Sequence, residues 1–168
     1  MDSEFQNYPW QYWKPHRIFL DQHTDTPNHI MFDWIPNEYK HSFMAIIGES
    51  MVNHAFLSEK TVVPLMYNKP FLINGAKNNH RVLKRLGFEL YDEIFDYSFD
   101  TEDDVENRVQ GIIENIIKLD EQLKTNGHKK VHDKIRDKLL FNKRRAHEIC
   151  VDPNHFPNII NDFFTKPI

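Results

Sequence analysis

The chain has one cysteine, Cys150, which leaves no partner for an internal disulfide and fits a reducing compartment. At a helix end it reads as a buried thiol rather than a nucleophile. Glycine is scarce, with five scattered along the chain, and no GxGxxG, Walker A or GxSxG motif occurs. A backbone phosphate cradle is therefore excluded, and any phosphate contact has to come from side chains and a helix end. No apolar run approaches the roughly 20 residues of a membrane span, and the first residues are acidic and aromatic rather than signal-like. Positive charge is not in excess: the net charge is −4, which gives no general attraction to nucleic acid or anionic membranes. Internal repeats and low-complexity segments are also missing. What is present, 40% hydrophobic and 27% charged residues in 168, describes one soluble globular domain with room for a core. Its expected location is cytoplasmic.

Three segments of that single domain can be told apart. Residues 1–36 form an aromatic N-terminal arm with Phe5, Tyr8, Trp10, Tyr12 and Trp13 close together, interrupted by Pro9 and Pro15. Such an arm either lies over the domain's own core or packs on a partner chain or a second copy, as in a homodimer. Within it, 17–20 and 30–35 read as short strands, separated by turn chemistry at 21–28.

Residues 37–100 read as an α/β core. The run 43–48 (FMAIIG) is continuous and apolar, the pattern of a strand buried on both faces in a parallel sheet. Ser58 is a good N-cap for a helix over 59–67, which Pro64 is expected to kink or shorten. A second buried strand follows at 70–73, then a helix over 79–86 with Gly87 as its stop, and 88–95 is read as the start of a last short strand. The fold class is α/β: a small parallel sheet of three to five strands with flanking helices. A C-terminal helical hairpin over 101–168 extends it. There, a long helix from about residue 102 carries Val105, Val109, Ile112, Ile113, Ile116, Ile117 and Leu123, and Gly127 ends it. A second helix over 129–149 carries Val131, Ile135, Leu139, Leu140 and Ile149 on one face, and 156–164 reads as a final amphipathic turn.

Charge is segregated: nine acids and no Lys or Arg lie between residues 89 and 106, and eight bases between 129 and 145. Solvated faces that partly neutralise each other account for this. The basic helix lacks interleaved aromatics, so no nucleic-acid partner is expected. His128 and His132 have ligand spacing on one helix face, but the pattern lacks the Glu of HExxH and a third ligand, so neither metal nor cofactor is expected.

The stretch 42–74 holds the candidate site. Glu49 and Ser50 lie at the carboxyl end of the first strand, where ligands of open α/β sheets collect. Phe56, Ser58, Glu59, Lys60 and Thr61 stand at the following helix entrance, which suits an anion. A solvent-facing Glu–Lys pair on a well-capped helix is the plainer reading of the same residues.

This stretch resembles the nucleotide-sugar-binding, C-terminal half of the α-1,3-fucosyltransferase family. The likeness rests on Tyr39-Lys40, the apolar run 43–47, Gly48-Glu49-Ser50, the segment 55–60 (AFLSEK), Pro64-Leu65 and the strand 69–73 (KPFLI), in the family's order and approximate spacing. It implies a half of a GT-B-type, Rossmann-like architecture that binds a nucleotide-diphosphate sugar such as GDP-fucose as its substrate. Glu59 would take the ribose hydroxyls, Lys60 the diphosphate and Phe56 the base, with Glu49 near the sugar as the catalytic carboxylate and Ser50, Ser58 and Thr61 around them. The family's Asn after the first Glu is Ser50 here, and its base-side Tyr is Phe56. Arg17 is the one upstream candidate for a phosphate-binding arginine. The likeness covers about a third of the chain, and the acceptor domain of the family has no counterpart in it. The implied function is a glycosyltransferase-like donor domain with little turnover alone; the alternative is a non-catalytic nucleotide-sugar-binding or structural module built on that fold.

Overall fold

The computed structural model describes residues 37–51 and 53–151. The chain falls into two compact units, Met1–Ser42 and Phe43–Ile168. Of the first, the described part is a short helix, α1 (Asn37–His41), closed by Ser42, whose backbone N–H and hydroxyl both donate to the Tyr39 carbonyl. The strands expected at 17–20 and 30–35, the aromatic arm and the final turn over 156–164 lie outside the described residues.

The second unit begins with a parallel β-α-β unit. Strand β1 (Ala45–Gly48) pairs in parallel with β2 (Phe71–Asn74), Ala45 opposite Phe71 and Gly48 opposite Asn74. Parallel neighbours need a long crossover, and helix α2 (Glu59–Met66) supplies it. Ladder bonds continue past both ends, from Ala45 N–H to Pro70 C=O and from Glu49 N–H to Asn74 C=O, at 3.0 and 2.9 Å. Helix α2 runs through Pro64, which is buried with Leu65, and ends two residues later.

Helix α3 (Asn79–Arg85) follows β2, and a 3-10 turn (Ser98–Thr101) leads to the hairpin α4 (Val105–Asn126) and α5 (His128–Val151). Asp104 caps α4 by accepting from Glu106 and Asn107 N–H. Gly127 separates the two long helices at φ 80°, a value that favours glycine. The core gathers Leu65 of α2, Phe71, Leu72 and Ile73 of β2, and Val131, Ile135 and Leu139 of α5. Within this unit the α/β stretch and the helical hairpin pack together, α5 on α2 and α4 on β2.

The mixed α/β class stands, with three corrections to its details. First, among the described residues the sheet has two strands rather than three to five. The segment 88–95 is not a strand: the side-chain amide of Asn142 on α5 takes Glu89 N–H and donates to Glu89 C=O, both at 2.8 Å, where a neighbouring strand would. The chain then turns, with Ile94 and Phe95 N–H both on Tyr91 C=O, while Phe88, Tyr91, Ile94 and Phe95 stay buried. Second, β1 is covered on one face only, because Ala45 and Ile47 are buried while Ile46 is 52% exposed. Third, the apolar stripe of α4 is only partly used. Its buried line is Arg108, Ile112, Asn115 and Leu119, and Ile113 and Ile117 face out. On α5, Leu140 is likewise exposed, and Asn142 and Ala146 continue the buried line of Val131, Ile135 and Leu139.

Opposite charges meet where α5 passes the acidic stretch. The Lys138 ammonium lies 2.9 Å from Glu93 and 3.6 Å from Asp92, and donates to Leu90 C=O at 2.7 Å. Among the described residues, no helix is long and apolar enough to cross a membrane.

Candidate functional site

Just past the end of β1, Glu49 is buried, and its carboxylate holds the entrance of α2. One oxygen, Oε1, accepts from Ser58 N–H and from the Thr61 hydroxyl, each at 2.9 Å. Ser58 is extended and is the N-cap; its hydroxyl accepts from Lys60 N–H at 3.2 Å, and Thr61 N–H returns to Ser58 C=O. The helix entrance is therefore satisfied twice, by its own serine and by a carboxylate from the strand.

The loop 49–58 has a second tether. Phe56 N–H donates to Asn79 Oδ1 at 2.9 Å, and Asn79 is fully buried as the first residue of α3. Gly75 lies between the two tethers. A Cβ there would stand 2.6 Å from Asn79 Nδ2 and 3.0 Å from Glu49 Cβ, so the close approach demands glycine. Two buried polar atoms at this corner, Glu49 Oε2 and Asn79 Nδ2, have no hydrogen-bond partner among the described residues.

The loop leaves a different set of groups in solvent. Lys60 Nζ donates to Ser50 Oγ at 3.4 Å, with both side chains exposed, and Phe56 is 43% exposed. The residues named from sequence thus divide in two. Glu49, Ser58 and Thr61 form a clamp, buried or half-buried, while Lys60, Ser50 and Phe56 face outward. Glu59 opens α2.

The sequence reading missed four residues beneath the site. His80 and Asp100 are buried together, Nδ1 at 2.9 Å from Oδ1, and the same carboxylate accepts His80 and Arg81 N–H at the start of α3. Arg108 reaches from α4 to Gly75 C=O at 3.2 Å and to the Glu102 and Asp103 carbonyls at 2.8 and 2.9 Å. Asn79 is the fourth. Their polar character hid them from a search for apolar periodicity; the one available signal was their position in or near helix starts. Through these three carbonyls one buried guanidinium ties the turn after β2 to the segment before α4, and so fixes the site's floor.

Among the described residues no group of three or more metal-ligating side chains forms. His128 instead meets Phe43 edge-on, with ring centroids 5.9 Å apart. No family model, no curated protein and no solved structure matches the chain.

Proposed function

We propose that the unit binds a nucleotide-diphosphate sugar of the GDP-fucose type at the entrance of α2. The observation that carries this reading is the pairing of Lys60 with Ser50 at the carboxyl end of β1, in a loop that also exposes Phe56. The Lys60 ammonium is a point charge suited to the diphosphate, and an exposed phenyl ring is a stacking surface for the base. Glu59 would hold the ribose hydroxyls, as the fucosyltransferase resemblance implies. The GT-B relationship belongs to the same proposal. In a full enzyme the acceptor oxygen would bond to the sugar carbon as its bond to the diphosphate breaks, with inversion. The proton would leave to a base on the acceptor side, and that side would come from a partner chain or a second copy through the aromatic arm.

Glu49 favours the non-catalytic version of this reading. The carboxylate given the catalytic role is 6% exposed and already accepts two hydrogen bonds that hold the loop. A group so engaged suits a binding module better than a turnover centre, and its work here is positioning.

Calorimetric titration with GDP and GDP-fucose tests the proposal. Binding is expected, and Lys60→Ala should weaken it about tenfold, the loss of one charge-assisted contact. Phe56→Ala should weaken it less. No heat at about 1 mM ligand would remove the donor-site reading. A sugar-release assay on the same samples is expected to show little turnover; steady release abolished by Glu49→Gln would restore the catalytic role.

A further inference from the structure

A cavity of about 350 Å3 opens between the loop 49–58 and α3. From α3 it receives Arg81 and Arg85, spaced to share one helix face, and beside them Asn78, the residue before the helix. Asn53 and His54 of the loop contribute to its lining, as does Lys77. Neither Lys60 nor Ser50 lines it, and among the described residues no carboxylate does. Two acids that contact lining residues or their neighbours are already committed. Asp103 is paired with the Lys77 ammonium at 2.5 Å, and Asp100 accepts backbone N–H groups of α3 and the His80 ring. The Arg81 guanidinium is exposed and has no hydrogen-bond or ion-pair partner among the described residues.

Lys77 is already paired with Asp103, so the exposed Arg81 guanidinium is the charge left to an occupant of the concavity, and an anion is the occupant it attracts. Size admits the class. Pockets for small molecules run about 300–1,000 Å3, and this one is near the lower bound. It has room for a phosphate or diphosphate group. Guanidinium forks and asparagine amides are the donors that tetrahedral oxyanions accept from.

We propose that this cavity is a phosphate-binding site, with Arg81 as its principal donor and Lys77 and His54 beside it. The proposal stands on the cavity and does not rest on the donor site at Lys60. The phosphate group comes either as a free small anion or as the diphosphate of a nucleotide.

Inorganic pyrophosphate is the probe, titrated calorimetrically into the full chain at low salt. The titration is run in the Lys60→Ala background, which removes the cation proposed for the donor diphosphate; binding at or below about 1 mM is expected there, weakened at least about fivefold by adding Arg81→Gln. The His54 ring resonances should shift during the titration. Absence of heat, or equal binding with and without Arg81→Gln, would each overturn the proposal. Should Arg81→Gln fail to keep the wild-type thermal midpoint, Lys77→Gln replaces it under the same expectation. A GDP titration separates the sources: weakening by Arg81→Gln assigns the cavity to a nucleotide diphosphate, and no change assigns it to a free anion. If GDP gives no heat while pyrophosphate binding still depends on Arg81, the donor reading falls and the phosphate cavity remains.

Discussion

His80 and Asp100 fix each other's chemistry. His80 Nε2 accepts the Ile73 N–H at 3.0 Å, so the ring proton sits on Nδ1 and is donated to Asp100 Oδ1 at 2.9 Å. A buried Asp–His pair resembles a catalytic dyad, but its outer nitrogen is taken by the backbone of β2. Its role is to tie the strand, the start of α3 and the 3-10 turn into one corner.

Replacing His80 by Phe should therefore destabilise strongly. The change strands the Ile73 N–H and removes one donor from a buried carboxylate, and is expected to cost about 2–4 kcal/mol. Urea unfolding monitored by circular dichroism measures it. A cost below about 0.5 kcal/mol, the usual size of a surface change, would refute the tether.

Glu49 gives a graded prediction. Glu49→Ala removes the acceptor shared by Ser58 N–H and Thr61 hydroxyl and should cost about 2–3 kcal/mol. Glu49→Gln keeps an oxygen at that position and should cost about 1 kcal/mol or less. If the two variants unfold at the same denaturant concentration, the carboxylate does not act through those two bonds.

Gly75→Ala should disturb the same corner from the other side. Its methyl would collide with Asn79 Nδ2 and press on Glu49 Cβ, an overpacking expected to cost about 1–3 kcal/mol. Because Asn79 holds Phe56 N–H, GDP binding should weaken together with stability. A variant that kept full stability would show that the corner yields freely.

Alkaline pH should unfold the chain early. Burial raises the Tyr91 phenol well above its usual value of 10.0, and burial raises Tyr97 as well. Both groups stay protonated in the folded chain while the unfolded chain begins to lose the protons near pH 10. Their stabilisation is thus complete below about pH 10 and is lost as pH climbs toward the folded values, by up to about 1.4 kcal/mol per tyrosine per pH unit. Thermal midpoints between pH 8 and 11 should fall, and Tyr91→Phe should flatten the fall; an unchanged slope in that variant would exclude Tyr91 as a source.

Local chemistry by itself determined the capped helix at Ser58, the crossover between two apolar strands, the Gly127 break and the helical hairpin. Each depends on neighbours within a few residues: an N-cap hydroxyl, a short apolar run, a glycine at positive φ. The same local reading marked Lys60, Ser50 and Phe56, which the fold leaves exposed at the entrance of α2 and on the loop before it. Only the tertiary structure decided the rest. Whether 88–95 became a strand depended on Asn142, fifty-three residues beyond Glu89, offering its amide in place of a neighbour. Whether Ile113 or Arg108 was buried depended on what α4 met, and it met the Gly75 carbonyl of the turn after β2. Glu49 changed most. Its sequence position at a strand's carboxyl end suits a reacting group, but in the fold two donors from the helix entrance converge on it. A buried carboxylate is stabilised by such donors, and only distant packing could supply both the burial and the geometry.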